Sequence, residues 1–178
     1  ITTVPADKVV STDLKKAGNK LYLIKHNVLA NYMPNVEQLK ENWNFTTNAI
    51  QSGKICAAYA LGFGGLAEAI AKMSFGNELA VDIQIAENEL FDYNYGSIIV
   101  EATEDLTSNS ASGLTSNSVA IQYLGTVIEG THLIINNERV SREVLLRACC
   151  TPFEKIYPSA VEAQHKELMP EGVKPILV

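Results

Sequence analysis

Three glycines at the start of a predicted helix are the residues with the clearest chemical potential: Gly62, Gly64 and Gly65. They follow the apolar run 55–61 and precede Leu66, the first residue of a helical apolar pattern. The N–H groups at a helix start lack intrahelical partners, and the helix dipole adds partial positive charge, so such a turn attracts anions. Glycine also lets a ligand approach the backbone closely. We therefore predict that Gly62, Gly64, Gly65 and Leu66 bind a substrate or its phosphate group.

Two other interpretations of the same glycines stand beside this one. The segment 62–67 fits the permissive G-x-G-x-x-G/A fingerprint of dinucleotide sites, and Asp82 follows Gly62 by twenty residues, where a ribose-binding acid is expected. That fingerprint belongs to the first β–α turn of a repeated βαβ series, whereas this chain continues with closely spaced strands. The third interpretation is structural, because glycines permit close packing of a helix on a strand.

Apolar periodicity predicts an α/β (α+β) domain with a mixed, largely antiparallel sheet covered by helices. The continuous apolar run 55–60 indicates a central, fully buried strand. The helix after the glycines is expected to end at Gly76 and to turn one face inward, consisting of Leu66, Ala69, Ile70 and Met73. The other strands are predicted at 20–25, 79–85, 97–101, 121–123, 125–128 and 132–135, the other helices at 36–50 and after an N-cap at Ser141, and turns at Gly130 and Asn136-Asn137.

The composition indicates a globular domain and argues against two kinds of partner. The chain has 178 residues, of which 47% are hydrophobic and 19% charged, which suits one domain. Its net charge of −6 argues against non-specific nucleic-acid binding, and the small cluster Lys15, Lys16 and Lys20 is expected to lie in a solvated loop. No apolar run reaches the length of about 18 residues that a membrane helix needs, so no membrane partner is expected.

Neither a metal ligand nor a catalytic residue is predicted in this chain. The three histidines are far apart, and none has the spacing of a zinc site: His26, His132 and His165. The cysteines are odd in number and include an adjacent pair, which favours a reducing cytoplasm over a disulfide framework: Cys56, Cys149 and Cys150.

Several segments occur in the order seen in one known family. They are Lys-Lys-Ala-Gly-Asn-Lys-Leu-Tyr-Leu-Ile at 15–24, a helix ending at Gly53-Lys54, Gly-Gly-Leu-Ala-Glu-Ala-Ile-Ala-Lys-Met at 64–73 and Tyr-Leu-Gly-Thr-Val at 123–127. With them, nearly the whole chain resembles the C-terminal-type domain of the aminoimidazole ribonucleotide synthetase superfamily. Within that superfamily it is most similar to the second such domain of the large, multidomain phosphoribosylformylglycinamidine synthases.

The resemblance implies a role in purine biosynthesis. Enzymes of this kind use ATP to activate the amide oxygen of formylglycinamide ribonucleotide, and ammonia released from glutamine replaces that oxygen. It implies that ATP and magnesium serve the full-length enzyme, that ATP-binding and glutaminase domains of the same polypeptide are the partners, and that this chain supplies one wall of a small-molecule site. By itself the chain would be inactive and hold no cofactor. The alternative is a non-catalytic scaffolding copy of the domain.

The chain departs from the family pattern at two places. The family carries His-Asp-x-Ser-Asp-Gly-Gly-Leu where this chain has Tyr-Ala-Leu-Gly-Phe-Gly-Gly-Leu at 59–66, and its Phe-x-Glu-x-x-Gly segment appears as Phe-Asp-Tyr-Asn-Tyr-Gly at 91–96. Phe63 and Tyr93 cannot replace carboxylates that order a cation or a substrate. Either backbone amides do the binding here, or this copy belongs to a divergent branch.

The predicted organisation is a synthetase-type domain at 1–152, with an extended lead-in at 1–18, followed by an extended interdomain linker at 153–178. Because the chain starts at Ile1 without a methionine, we expect a piece of a larger polypeptide. The linker contains prolines and lacks periodicity, yet it is rich in apolar residues. We therefore expect it to be ordered against its own domain or a neighbouring one.

Overall fold

A computed structural model describes residues 3–107 and 119–158 of the chain. Within the described part, seven strands are present: β1 (Lys20–Lys25), β2 (Ile55–Ala60), β3 (Leu79–Ile83), β4 (Ile98–Ala102), β5 (Ala120–Glu129), β6 (His132–Ile135) and β7 (Glu138–Ser141). The helices are α1 (Val36–Gln51), α2 (Gly65–Met73), α3 (Glu87–Leu90) and α4 (Arg142–Cys150), and a short 3-10 turn, Ala6–Lys8, lies in the segment before β1.

The strands form one sheet in the order β2-β4-β1-β5-β3-β6-β7. Only the pairing of β3 with β6 is parallel, and the other five pairings are antiparallel. The predicted fold class, a mixed and largely antiparallel sheet covered by helices, is therefore confirmed. The chain divides into two units, Ile1–Leu146 and Arg147–Val178, and the sheet belongs to the first.

The prediction that residues 55–60 form a central, fully buried strand is wrong. β2 lies at the edge of the sheet and pairs with β4 on one side only. Its apolar run has another cause, because both of its faces are covered: Ile55 packs into the core under α1, and Ala57 into the core under α2. An apolar run indicates that both faces of a strand are covered by other parts of the protein. It does not indicate how many strands pair with that strand.

Two strands predicted at 121–123 and 125–128 are one continuous strand, β5. Leu21 of β1 pairs with Gly125, whereas Tyr22 pairs with Tyr123, so Leu124 is the extra residue of a β-bulge. The bulge brings Gly125 so close to β3 that a Cβ atom there would meet the Asp82 carbonyl oxygen at 2.0 Å. Glycine in this strand therefore marks a bulge, and the break that we predicted between 123 and 125 does not occur.

The hairpin of β6 and β7 turns at Asn136 and Asn137, as predicted, with φ values of 51° and 69°. Such a pair of positive φ angles is typical of the two-residue turn that matches the twist of the strands. β7 itself was not predicted, because its polar sequence, Glu-Arg-Val-Ser, carries little strand signal. α4 begins at Arg142, immediately after Ser141, which agrees with the predicted helix start.

Two apolar cores cover the two faces of the sheet. The first contains the predicted inward face of α2, which is buried at all four positions, together with side chains of six strands, β1 to β6. The second lies under α1 and includes Tyr22, Phe45 and Val100. α2 ends at Met73 rather than at the predicted Gly76. Gly76 instead lets the Asp13 carboxylate lie against the backbone, because a Cβ atom at Gly76 would clash with it. No helix of the described residues is long and apolar enough to cross a membrane.

Candidate functional site

The glycine turn lies between the end of β2 and the start of α2. Leu61, the first residue after the strand, is buried, and its N–H donates to the Ser97 carbonyl oxygen just before β4 (3.0 Å). The turn is thereby held at one end of the sheet. Phe63 at its tip is 75% exposed, so the turn faces solvent.

Each glycine of the turn is used differently. Gly65 has a φ of +63°, and a Cβ atom there would lie 2.7 Å from the Asp92 carbonyl oxygen, so this position excludes a side chain on two grounds. Gly64 is the N-cap of α2, and a Cβ atom would lie 2.5 Å from the Cβ of Glu68. A Cβ atom on Gly62 would make only an ordinary contact, at 3.6 Å from Glu68 Oε2. Leu66 is fully buried, backbone included, so no part of it faces solvent.

Glu68 already occupies the positive end of α2. Its Oε2 accepts a hydrogen bond from the Gly64 N–H (2.8 Å), and its Oε1 pairs with the Lys72 ammonium one turn later. The Lys72 bond and, second, the Gly64 N–H lower the pKa of Glu68 below its ordinary value. The same contact with Glu68 raises the pKa of Lys72, and Tyr59 adds to that effect. An anion that reached this turn would have to displace the Glu68 carboxylate from Gly64.

An aromatic surface stands beside the turn. We use this name for Phe63, Tyr93 and Tyr95, all more than half exposed. The ring centroids of Phe63 and Tyr93 are 5.1 Å apart, and those of Tyr93 and Tyr95 are 6.4 Å apart with an interplanar angle of 13°. The two segments in which the chain departs from the family pattern are therefore in contact, and aromatic rings meet at their junction.

His26 fixes the loop that carries the two tyrosines. The ring is buried, its Nε2 accepts from the Asn35 N–H (3.1 Å), and its Nδ1 donates to the Tyr95 carbonyl oxygen (2.8 Å). Because Nε2 accepts, the proton of the neutral ring is on Nδ1. The Ser97 hydroxyl also accepts from the His26 N–H (2.9 Å). His26 therefore has a structural role, with both ring nitrogens bound to backbone groups.

The residues at the turn do not fit a magnesium ion. Within residues 3–107 and 119–158, no group of three or more His, Cys, Asp or Glu side chains is placed to hold a metal. At the turn itself the nearest carboxylate, Glu68, is bound to Lys72 and to Gly64 N–H. Hard cations need several oxygen ligands, which this surface does not supply.

The dinucleotide interpretation fails on the topology. A dinucleotide site needs parallel strands on both sides of the first β–α turn, but β2 is an edge strand with one antiparallel neighbour. The proposed ribose-binding acid, Asp82, lies on β3 between Val81 and Ile83, which point into the core under α2. Successive side chains of a strand alternate, so Asp82 is on the opposite face of the sheet from the turn.

A buried carboxylate organises the loop before β1, away from the glycine turn. Glu101 is fully buried and accepts hydrogen bonds from the Lys15 N–H (2.7 Å), the Lys16 N–H (3.0 Å) and the Asn19 side-chain amide (2.5 Å). The side chains of Lys15 and Lys16 are exposed, as predicted for a solvated loop. The third lysine of the predicted cluster, Lys20, instead begins β1 and pairs with Asp105 (3.0 Å). Burial, with Glu101 second, raises the pKa of the neighbouring Cys56 thiol to about 11, so this cysteine is a poor nucleophile.

Sequence reasoning missed Glu68, His26 and Glu101 as important side chains. Glu68 had a usable signal, because an acid in the first turn of a helix is expected to interact with the free N–H groups there. Glu101 also had one, since a single acid inside the apolar strand Ile-Ile-Val-Glu-Ala must be paired to be buried. His26 had no such signal, because its partners are backbone groups of residues 9 and 69 positions away.

No protein family model matches the chain. Among solved structures, phosphoribosylformylglycinamidine synthase II from Thermotoga maritima superposes with a TM-score of 0.64 at 14% identity, covering 80% of this chain and 28% of that chain. The PurLQS structure from T. maritima gives a TM-score of 0.65 at 14% identity, with the same shares covered. The hydrogenase maturation protein HypE of E. coli gives 0.54 at 10% identity, covering 78% of this chain and 53% of that one.

These likenesses show the fold. The mixed seven-stranded sheet and its helices match the aminoimidazole ribonucleotide synthetase-like fold of the T. maritima synthase structures. The chain spans less than a third of the length of those synthase chains.

Proposed function

We propose that this chain is one domain of a larger ATP-dependent carbon–nitrogen ligase of the phosphoribosylformylglycinamidine synthase type. In this role it supplies one wall of a substrate or nucleotide site, in a cytoplasmic enzyme with glutamine as amido donor. The observation that supports the proposal is the fold shared with T. maritima PurL over about 80% of this chain, in structures that include complexes with ATP and with FGAR (formylglycinamide ribonucleotide).

The wall consists of the backbone of the glycine turn. Gly62, Gly64, Gly65 and Leu66 surround the positive end of α2, where the Gly64 N–H would donate to a phosphate group. The Gly65 N–H donates to the Gly62 carbonyl oxygen (3.1 Å) and holds the turn closed beneath it. The Gly64 N–H donates to the Glu68 carboxylate, and an anionic ligand in the same place would accept the same hydrogen bond. A phosphate would exchange with Glu68 there, leaving Glu68 bound to Lys72 alone.

The chemistry itself belongs to other parts of the proposed enzyme. ATP, with its magnesium ion held by an ATP-binding domain, supplies the phosphoryl group that activates the amide oxygen. A glutaminase domain supplies ammonia. The described residues of this chain bind and orient the substrate, because they present donors and aromatic rings but no cluster of acids at the turn.

A second candidate function is a non-catalytic scaffolding copy of the domain. Two observations favour it. The Gly64 N–H is already satisfied by Glu68, as it would be in a helix cap with no ligand. Aromatic rings also stand at two of the three positions where the family pattern has an acid, Phe63 and Tyr93, and the third position is Ala60. In a scaffold, the turn would only allow α2 to pack closely against the loop at 90–92.

The test is equilibrium binding of FGAR and of ADP to the full-length polypeptide by titration calorimetry. Gly64→Val brings a side chain against Glu68 and closes the turn, so we expect the Kd to rise by about ten-fold or more, the equivalent of one lost charge-assisted hydrogen bond. Glu68→Gln removes the competing charge, so we expect the Kd to fall. Thr47→Val is the control, because it places a valine at an exposed position of α1, on the opposite face of the sheet.

Unchanged Kd values for both ligands in Gly64→Val and Glu68→Gln would contradict the proposal that the turn forms a wall of the ligand site, and would favour the scaffolding function. Circular dichroism of each variant shows whether it is folded. Ligand binding that Thr47→Val weakens as much as Gly64→Val does would also count against a specific role of the turn.

A further inference from the structure

An open cleft lies on the sheet face that carries α2, toward the end of the sheet formed by β6 and β7. Its volume is about 490 Å³, within the range of roughly 300–1,000 Å³ that binding pockets occupy. Its lining is mostly apolar and includes Leu90, Leu133, Ile135, Val140 and Leu145. Leu133 pairs with Val140 across the hairpin, so both point to this face. The cleft adjoins the glycine turn through Ala67 but contains none of the turn's four residues.

Two carboxylates give the cleft a negative rim. Glu87 at the start of α3 and Glu138 at the start of β7 both line it, and both are exposed. Neither forms an ion pair with a cation of the described residues. Because the whole chain carries a net charge of −6, the cleft favours a cationic occupant.

The apolar surface continues beyond the cleft. Phe91 lines it and is 67% exposed, and Tyr93 of the aromatic surface follows two residues later. An apolar surface that extends past a ligand-sized cavity is typical of sites that bind another polypeptide. Aromatic side chains are also enriched where partners dock.

We propose that this cleft docks an amphipathic helix of a partner polypeptide. Helices already form the layer on this face, and the cleft is the gap between α2 and α3 on one side and Leu145 of α4 on the other. A helix laid in the gap places apolar residues at i, i+3, i+4 and i+7 against Leu133 and Val140. Lysine or arginine residues beside them face Glu87 and Glu138. The proposal does not depend on the glycine turn or on the activity of the larger enzyme.

The test uses three fluorescein-labelled synthetic helices of about sixteen residues, long enough to be helical in water. The first carries leucines at i, i+3, i+4 and i+7 with flanking lysines, the second has glutamates in place of the lysines, and the third has serines in place of the leucines. Fluorescence anisotropy with residues 1–178 measures each Kd. We expect the leucine–lysine helix to bind and the other two to bind at least about ten-fold more weakly.

Substitutions in the cleft locate the binding site. Val140→Asp places a charge on the apolar lining and should abolish binding. Glu87→Gln with Glu138→Gln should raise the Kd of the leucine–lysine helix by roughly two- to thirty-fold at low salt, as expected for two exposed ion pairs, and less at high salt. The control is Glu37→Gln with Glu41→Gln on α1, which removes the same charge from the other face of the sheet and should leave the Kd unchanged.

Three results would overturn the proposal. One is no binding of the leucine–lysine helix at millimolar protein. Another is binding that the glutamate or serine helix matches, or that Val140→Asp leaves intact. The third is self-association in sedimentation experiments that Val140→Asp abolishes, because the occupant would then be a second copy of this chain.

Discussion

Glu101 places a carboxylate inside the sheet, where it accepts hydrogen bonds from the backbone of Lys15 and Lys16 and from the side chain of Asn19. Glu101→Leu would leave these buried donors without an acceptor, so we expect it to lower the free energy of unfolding by roughly 2–4 kcal/mol. Urea denaturation of residues 1–178 measures the loss. Glu41→Leu, at an exposed position of α1, should change it by less than about 0.5 kcal/mol. Equal effects of the two substitutions would contradict a structural role for Glu101.

Glu68 gives the stability a dependence on pH. Its pKa is lowered in the folded chain, first by Lys72 and then by the Gly64 N–H, so the unfolded chain binds its proton at a higher pH than the folded chain does. The stabilisation is therefore complete above the ordinary pKa of 4.5 and is lost as the pH falls through the lowered value. Because the pair is partly exposed, the effect is at most about 1 kcal/mol.

The melting temperature as a function of pH checks this reasoning. Between about pH 6 and pH 3, the wild-type chain should lose more stability than Glu68→Gln, which has no proton to bind at this position. Glu41→Gln is the matched control and should follow the wild type. Parallel curves for the wild type and Glu68→Gln would show that the pair makes no contribution.

At the scale of elements, the start of α2 depends on one glycine. Gly65 has a positive φ, and its Cα faces the backbone of the loop at 90–92. We expect Gly65→Ala to destabilise the chain by roughly 1–3 kcal/mol, from the strained conformation and from displacement of that loop. Gly62→Ala is the matched control in the same turn, where a methyl group makes an ordinary contact. Thermal unfolding of both variants measures the difference in stability. A Gly65→Ala protein as stable as Gly62→Ala would show that the start of α2 does not depend on Gly65.

The elements also show how far apolar patterns predict position in a sheet. The pattern of β2 correctly predicted a strand with cover on both faces, and α1 and α2 provide that cover. It could not predict an edge position, because the number of neighbouring strands depends on pairing partners far along the chain. In β5, the pattern could not distinguish a break from a bulge, since both are marked by the same glycine, Gly125.

At the scale of the whole molecule, we expect the isolated chain to have no synthase activity. Its described residues hold no group of acids for magnesium, and it spans less than a third of the length of the synthase chains whose fold it shares. Incubation with FGAR, ATP and glutamine, followed by chromatography of the nucleotides, should show no amidine product and no ADP above the buffer control. Turnover by the purified chain would overturn both the prediction and the division of labour on which the proposed function rests.

The sequence by itself determined the fold class, the inward face of α2, the hairpin turn at Asn136 and Asn137 and the glycine turn. These features depend on local properties, namely side-chain periodicity and backbone conformations that glycine and asparagine adopt readily. The predicted linker and its order lie largely outside the described residues, at 159–178, and stay predictions.

Only the tertiary structure decided the order of the strands, the contact between Phe63 and Tyr93 and the capture of the Gly64 N–H by Glu68. It also decided that Glu101 serves a loop more than eighty positions earlier in the chain. In all of these cases except Glu68 the physical reason is the same. The contacts join residues that are distant in the sequence, and no local pattern encodes their proximity. The exception is Glu68, which lies one helical turn from Gly64. Both partners could be identified in the sequence, but only the three-dimensional structure shows that the Glu68 side chain accepts the hydrogen bond from the Gly64 N–H.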